Sequence, residues 1–487
     1  MKDLTQGNET KAIVFFALPM LLGNIFQQFY NMVDSFVVGR FVGTAALAAV
    51  GTGFPIIFLM IALIMGVTMG STVLVAQYFG AKEYAKVRAA VDTAYVFLFW
   101  AGLALSVLGV AFTEPILRLL RVPADVFPEA SVYLRIIFAG MLPSFGYNAV
   151  SAILRGLGDS KTPLYLLVVS TVINIALDLS FVVLFHWGVA GVAWATVIAQ
   201  TASFAGAIVV LNRRNEFLRL KLKELTFDRE VFGLSLKIGL PTGLQQTLVA
   251  AGMMALTRIV NGFGTSTMAA YAAASRLDSF ASMPAMSLGA AATTFVGQNL
   301  GARKPERVKR GHLSAVLLGG AYSLLTAAAV ILFGRALMGI FSADAEVIAI
   351  GARYLFIVGL FYVLFSTMFI TNGALRGAGA AMVPMFNTIL ALWVVRIPLA
   401  LLFSGPLGMG SDGIWWSIPA GWAVGATMAT AYYASGKWKG KAIAGRGPAG
   451  SGPAGGAGPG DSQAAAAEPA QAAARRGAAA PRGPASE

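Results

Sequence analysis

Long apolar segments separated by short polar gaps run along most of the chain. Each is long enough for a helix of roughly 20 residues that crosses a bilayer and satisfies its own backbone hydrogen bonds. Six lie near residues 12–39, 47–79, 88–113, 126–154, 163–185 and 188–211, and six more near 231–262, 268–300, 310–334, 347–374, 383–403 and 413–435. The pattern predicts an all-α integral membrane protein with twelve transmembrane helices.

The two sets of six repeat one another. The segment VAQYFGAKEYAKV at 75–87 matches VGQNLGARKPERV at 296–308, and ILRGLGDSKTP at 153–163 matches ALRGAGAAMVP at 374–384. The matched residues are all 221 positions apart: Gln77/Gln298, Gly80/Gly301, Arg155/Arg376, Gly158/Gly379 and Pro163/Pro384. Because six spans return the chain to its starting side, the halves are parallel repeats, and such repeats usually enclose a substrate path between them.

Basic residues are concentrated in alternate gaps. The gaps after even-numbered spans hold 17 Lys and Arg, whereas the gaps after odd-numbered spans hold four, or six if residues near the span ends are included. By the positive-inside rule, both termini and the even-numbered loops are expected in the cytoplasm.

This organisation divides the chain into four parts. Residues 1–212 form an N-lobe of six helices, 213–230 a cytoplasmic linker, and 231–440 a C-lobe of six helices. Residues 441–487 form a tail rich in Ala, Gly and Pro, which has no large apolar side chain after Ile443. We expect this tail to be disordered because it cannot bury a core.

Composition narrows the function. Hydrophobic residues make up 57% of the chain and charged residues 12%, there is no Cys, and the two His are His186 and His312. Disulfides, thiolate chemistry and Cys/His zinc sites are thereby excluded. The spans contain no H-E-x-x-H motif and no nucleophile–base pair, so we expect neither an enzyme nor a bound cofactor. The net charge of +14 is explained by cytoplasmic loops, and no nucleic-acid partner is expected.

Polar residues inside the N-lobe spans share helix faces. In span 1, Asn24, Gln27, Asn31 and Asp34 fall within an arc of about 80°. The other sets are Asn174 and Asp178 in span 5, Thr196, Gln200 and Ser203 in span 6, and Ser144, Asn148, Ser151 and Arg155 in span 4. Ionisable groups in membranes are usually functional, so Asp34 and Asp178 predict a site that accepts a proton or holds Na⁺. The alternative is a hydrogen-bond network that only joins helices.

The C-lobe spans carry buried basic residues instead. Arg258, Arg276 and Arg396 lie within them, together with Asp278. Arg276 and Asp278 do not share a helix face, so an ion pair between Arg258 and Asp278 is the expected contact. The sequence leaves open whether these residues have a structural role or bind substrate.

The chain resembles the multidrug and toxic compound extrusion (MATE) transporters. The resemblance covers roughly residues 5–440 and rests on FALPMLLGNIFQQFYNMVDSFVVGRFVGTAALAAVG (16–51), VAQYFGA (75–81), ILRGLGD (153–159) and the six-plus-six plan. The pattern is closest to the DinF-like branch, whose cation-coupling residues correspond here to Asp34, Asn174, Asp178 and Thr196. Gln27, Asn31, Asn148 and Gln200 would support this site, and Pro19 matches a proline at which the first helix is proposed to bend.

The resemblance implies secondary active export of amphipathic, often cationic compounds in exchange for H⁺ or Na⁺, with the two lobes alternating in access. Any Na⁺ would bind at the four coupling residues, and no other metal is expected. The alternative is a flippase for lipid-linked oligosaccharides from the same superfamily, which the C-lobe arginines favour and the acidic N-lobe opposes. We expect a monomer in the cell's inner membrane.

Overall fold

The protein is described from a computed structural model covering residues 3–214 and 219–444. In these ranges the chain is helical, without strands. The N-lobe spans are α1 (Glu9–Val37), α2 (Thr44–Gly80), α3 (Tyr84–Leu119), α4 (Phe127–Ala139 with Met141–Gly156), α5 (Lys161–Leu179) and α6 (Gly188–Arg214). The C-lobe spans are α7 (Arg229–Asn261), α8 (Thr265–Gly301), α9 (Pro305–Gly339), α10 (Ala345–Gly359 with Tyr362–Gly377), α11 (Met382–Ser404, π-helical over Ile389–Arg396) and α12 (Ser411–Ala434). The predicted all-α fold is confirmed.

Several helices have the length and hydropathy of a membrane span on their own. Among the described residues there are six, namely α1, α3, α5, α6, α9 and α11. Helices α4 and α10 add two when each bent pair is counted as one span, with bends of 48° and 53°. In α4 the bend lies at Gly140, just before Pro143. Proline is tolerated in the first turn of a helix, so the second half of α4 starts afresh there.

The sequence repeat is a repeat in three dimensions. In the N-lobe, Thr72 Oγ1 of α2 donates to the carbonyl oxygen of Ala152 in α4 at 3.2 Å. In the C-lobe, Thr293 Oγ1 of α8 donates to the carbonyl oxygen of Gly373 in α10 at 2.9 Å. Both members of each pair are 221 positions apart, so the two halves share contacts as well as sequence.

The lobes pack together at one end of the bundle, the end that carries the loops after even-numbered spans. There, Ile13 and Phe16 of α1 belong to the same hydrophobic core as Phe295 of α8. At the opposite end the core around Phe138 contains only N-lobe residues, and the core around Trp415 only C-lobe residues, among those described. We call these the even end and the odd end. The lobes are therefore joined at the even end and have separate cores at the odd end.

Two glycines allow this junction to be close. A Cβ atom at Gly80, where α2 ends, would overlap the carbonyl oxygen of Gln298 in α8. A Cβ at Gly301, where α8 ends, would likewise overlap the carbonyl oxygen of Gln77 in α2. Because glycine has no side chain, the two helix backbones can touch at symmetry-related points.

The chain ends only partly follow the predicted boundaries. A 3₁₀ turn spans Lys437–Lys441, and Ile443 packs on the N-lobe core around Leu154. Within the tail predicted at 441–487, Lys441 is exposed, while Ile443 and Ala444 pack on this core. The rest of that tail, 445–487, lies outside the described residues.

Gly80→Ala should destabilise the protein by about 1–3 kcal/mol, since an added methyl overpacks the α2–α8 crossing. The midpoint of thermal unfolding in detergent measures the change. Gly320→Ala is the control, because its Cβ would meet nothing within 4 Å in helix α9. Equal midpoints for the two variants would show that the crossing is not tight.

Candidate functional site

Helices α1 and α5 bring two acidic side chains together in the N-lobe. The first half of α5 contacts α1 at Gly23, where Leu164 and Leu167 lie near the position of a Cβ. Further along the same pair of helices, the carboxyl groups of Asp34 and Asp178 are direct neighbours. Asp178 is fully buried and Asp34 half-buried. Two acceptors thus face each other with no hydrogen-bond donor between them when both are ionised.

The polar atoms of this pair and of Asn174 are not matched by the surrounding protein. Both carboxyl oxygens of Asp178, Oδ1 of Asp34 and both amide atoms of Asn174 are buried without a hydrogen-bond partner among the described residues. More than nine in ten buried polar groups in proteins have such a partner, and the exceptions are often functional. The three side chains therefore offer unsatisfied oxygen atoms at a single place.

Two tyrosines border the carboxyl pair. Tyr30 Oη donates to Thr196 Oγ1 of α6 at 3.3 Å, and its ring lies close to both Asp34 and Asp178. Tyr133 of α4 is buried beside the same two acids. Neither tyrosine is among the residues that the sequence predicts for the site. Tyr30 could have been found, because it lies four residues before Asp34 on the same helix face.

The supporting residues have different surroundings. Gln27 donates to Asn31 at 3.4 Å on an exposed face of α1. Gln200 of α6 has a buried Oε1 without a partner among the described residues. Asn148 donates to the carbonyl oxygen of Ser144 in its own helix at 2.9 Å, so its amide is engaged locally. The contact between Gln27 and Asn31 extends the polar face of α1. The bond made by Asn148 does not link it to Asp34 or Asp178.

Each acidic residue is followed closely by a π-helical turn. Val38–Val42 follows α1 after Asp34, and Ser180–Leu184 follows α5 after Asp178. The two turns pack against each other. Wide turns of this kind are uncommon and occur frequently at functional sites. Nothing in the residue pattern signals them.

Pro19 lies within α1, which is helical from Glu9 to Val37. Before this proline, Ile13 and Phe16 pack in the even-end core with the C-lobe. After it, Gly23 faces α5 of the N-lobe, while Asn24 donates to Ser287 of α8 at 3.2 Å. Since proline cannot donate a backbone hydrogen bond, it weakens the helix between these two sets of contacts.

In the C-lobe, the expected ion pair between Arg258 and Asp278 is wrong. Asp278 faces α10, where Tyr354 Oη lies 3.5 Å from its Oδ2 and Tyr362 is a near neighbour. Its basic neighbour is Arg396 of α11, while Arg258 is exposed. Helical periodicity correctly separated Arg276 from Asp278 but could not identify which helix Asp278 faces.

No group of three or more His, Cys, Asp or Glu side chains among the described residues could hold a metal ion. The set Asp34, Asn174, Asp178 and Thr196 offers carboxylate, amide and hydroxyl oxygens instead, the hard ligands that suit alkali and alkaline-earth cations. Sodium binding by this set remains a prediction.

Asp178→Asn should stabilise the protein at pH 9 by on the order of 1–3 kcal/mol, since it removes one of two adjacent buried charges. At pH 5 the gain should shrink, because protonation relieves the same repulsion. Thermal unfolding in detergent at both pH values measures this. Asp92→Asn is the control: Asp92 pairs with Arg88 at 2.8 Å, so its loss should destabilise. A lower unfolding midpoint for Asp178→Asn at pH 9 would contradict the repulsion.

Comparison with known proteins agrees with this architecture. The chain is 35% identical to the "Probable multidrug resistance protein YoeA" of Bacillus subtilis over 89% of its length and 95% of that protein's. It is 32% identical to the "Probable multidrug resistance protein YpnP" of the same organism, over 90% and 97%. Among solved structures, an outward-facing multidrug resistance MATE family transporter superposes with a TM-score of 0.84 at 24% identity, over 89% of this chain and 98% of that one. This last likeness supports the fold.

The family model described as MatE matches residues 19–180 and again residues 241–402. The two matches cover most of α1–α5 and of α7–α11, so they coincide with the two lobes. Assignment of the chain to the DinF-like branch remains a prediction. The chain belongs to the MatE family of membrane transporters.

Proposed function

We propose that this transporter exports amphipathic, often cationic compounds in exchange for H⁺ or Na⁺. The names of its relatives, which are multidrug resistance proteins, support export of varied small molecules. The observation that carries the exchange is the pair of adjacent, unpartnered carboxyl groups of Asp34 and Asp178.

The chemistry of the pair suits cation coupling. In an apolar surrounding, two neighbouring carboxylates repel each other and lose the solvation that ionised groups have in water. A proton bound to either acid turns it into a donor for the other. A sodium ion would neutralise both and take further oxygen ligands from Asn174 and Thr196. Either cation therefore changes the charge and the hydrogen bonding of α1 at one point.

The separation of the lobes at the odd end supports an outward-open state. The Lys and Arg excess in the even-numbered loops favours a cytoplasmic location for the even end and both termini. In the proposed cycle, cation uptake from outside neutralises the acids and favours a bend of α1 near Pro19. The bend weakens binding of the exported compound, which leaves outward. Such coupling requires only that the two ligands favour the same state to different degrees.

Asp34→Asn should reduce gradient-driven ethidium efflux from proteoliposomes to the leak of protein-free vesicles. The asparagine side chain has no carboxyl proton to exchange and no negative charge to balance a bound cation. Separate pH and Na⁺ gradients, each applied to the wild type and the variant, identify the coupling ion. Asp278→Asn is the matched control, a half-buried acid within the spans of the other lobe, and should keep gradient-driven efflux. Full efflux by Asp34→Asn would refute coupling at this site.

The second candidate, a lipid-linked oligosaccharide flippase, is favoured by the exposed Arg258 and Arg276 of the C-lobe. Such side chains suit anionic phosphate groups. A fluorescent-lipid translocation assay on the same proteoliposomes separates the two functions. Lipid translocation without ethidium efflux would replace the antiporter with the flippase.

A further inference from the structure

Two glutamines are buried where the lobes meet at the even end. Gln77 of α2 donates through Nε2 to the carbonyl oxygen of Gly377, at the end of α10 in the other lobe, at 2.9 Å. Gln298 of α8 donates through Nε2 to the carbonyl oxygen of Gly156, at the end of α4 in the N-lobe, also at 2.9 Å. Both glutamines are fully buried. These bonds cross between the lobes in symmetry-related directions, so they break if the even end opens.

The Oε1 atom of each amide accepts hydrogen bonds from a segment that flanks the lobes. Gln298 Oε1 accepts from the backbone N–H of Leu4 at 3.0 Å. Gln77 Oε1 accepts from the backbone N–H groups of Ile443 and Ala444 at 2.7 and 3.3 Å. The start of the chain, which leads into the N-lobe, thus binds the C-lobe. The segment at 443–444, which follows the C-lobe, binds the N-lobe.

The segment before α1 is firmly seated on the C-lobe. Leu4 is buried, and Asn299 donates to its carbonyl oxygen at 3.2 Å. Lys304 donates to the carbonyl oxygen of Thr5 at 2.9 Å, and Arg307 to those of the next two residues at 2.8 and 2.7 Å. Backbone groups of four successive residues, Leu4 to Gly7, are therefore bonded to side chains of α8, α9 and their connection. Backbone groups bonded in this way are typical of a packed segment rather than a loose terminus.

The segment after α12 is seated on its own lobe before it crosses. Trp438 is buried, stacks on Tyr433 with ring centroids 5.1 Å apart, and donates through Nε1 to the carbonyl oxygen of that tyrosine at 2.8 Å. This anchor sets the path that places Ile443 against Gln77. The segment before α1 is thus anchored on α8 and α9, and the segment after α12 is anchored on α12 itself. Each segment reaches one buried glutamine amide.

We propose that two segments are latches on the even-end seal, which is the contact between the lobes around Gln77 and Gln298. These segments are residues 3–8, before α1, and residues 441–444, after α12. The seal opens only when Leu4 leaves Gln298 and Ile443 leaves Gln77. A buried amide that keeps one lobe but loses its terminal partner has an unsatisfied acceptor, which disfavours the closed state. Access to the transport path from the even end is therefore regulated by residues 3–8 and 441–444. The latch rests on the alternating access of the proposed function but not on which cation or compound is carried.

The absence of cysteine from the chain supplies a direct reporter. Ser71 of α2 is buried in the seal, with its Oγ 3.5 Å from Oγ of Ser235 in α7. A Ser71→Cys protein, purified in detergent, reacts with a maleimide only when the seal opens. The reaction rate therefore measures opening without any gradient or transported compound. A failure of antiport in proteoliposomes and a failure of the latch are distinguished in this way.

Proline substitution removes the latch donors selectively, since proline has no backbone N–H. Ala442 has φ −53° and ψ 138°, a conformation that a following proline accepts. In the reporter protein, Ile443→Pro should label about fivefold faster than Ile443→Ala, which loses the same side chain but keeps the N–H. Leu4→Pro should exceed Leu4→Ala by a similar factor. Equal rates within both pairs would overturn the latch.

Glutamine variants test the same seal independently of the termini. Gln77→Ala and Gln298→Ala in the reporter protein should each label at least about fivefold faster than the reporter alone. The matched control is Gln245→Ala, because Gln245 is a buried glutamine that donates to Thr388 within the C-lobe at 2.9 Å. If the control labels as fast as the other two, the effect is general loosening and the latch is refuted.

Discussion

The close crossing of α2 and α8 at Gly80 and Gly301 is the constraint on which the rest of the structure depends. It places a backbone carbonyl of each helix where a side chain would otherwise lie. The crossing fixes the two lobes at the even end, and Gln77 and Gln298 can then each reach the opposite lobe. Because the lobes are joined there, the odd-end cores can remain separate. In the proposed alternating access, contacts at one end of the bundle are replaced by contacts at the other.

The two lobes share a backbone plan but differ in electrostatics. Tyr133 and Tyr354 occupy equivalent positions 221 apart, and each lies beside an acidic side chain within the spans. In the N-lobe that acid is a pair, Asp34 and Asp178. In the C-lobe it is Asp278, which has Arg396 as a basic neighbour. The guanidinium offsets part of the charge of Asp278, whereas in the proposed function a cation from outside would neutralise the N-lobe pair. The difference in charge balance favours the N-lobe for coupling.

Sequence reasoning reached the fold because the relevant signals are local or repeated. Apolar length predicts spans, and one constant offset reveals the repeat. The face shared by Gln27, Asn31 and Asp34 follows from helical periodicity alone. The contact between α1 and α5, the π-helical turns and the neighbours of Asp278 depend instead on how helices pack, which periodicity does not specify. The hydrogen bonds from Leu4 to Gln298 and from Ile443 to Gln77 could not be predicted from the sequence either. Their donors are backbone N–H groups, which nearly every residue has.

Helix α1 connects the acidic pair to the seal. Its first half shares the even-end core with Phe295 of the C-lobe, and its second half carries Asp34 to Asp178. Pro19 lies between the two halves, where the helix is easiest to bend. In the proposed function, a cation bound at the acids therefore acts on a helix that touches both lobes. It can shift the equilibrium only by the difference between its affinities for the two states.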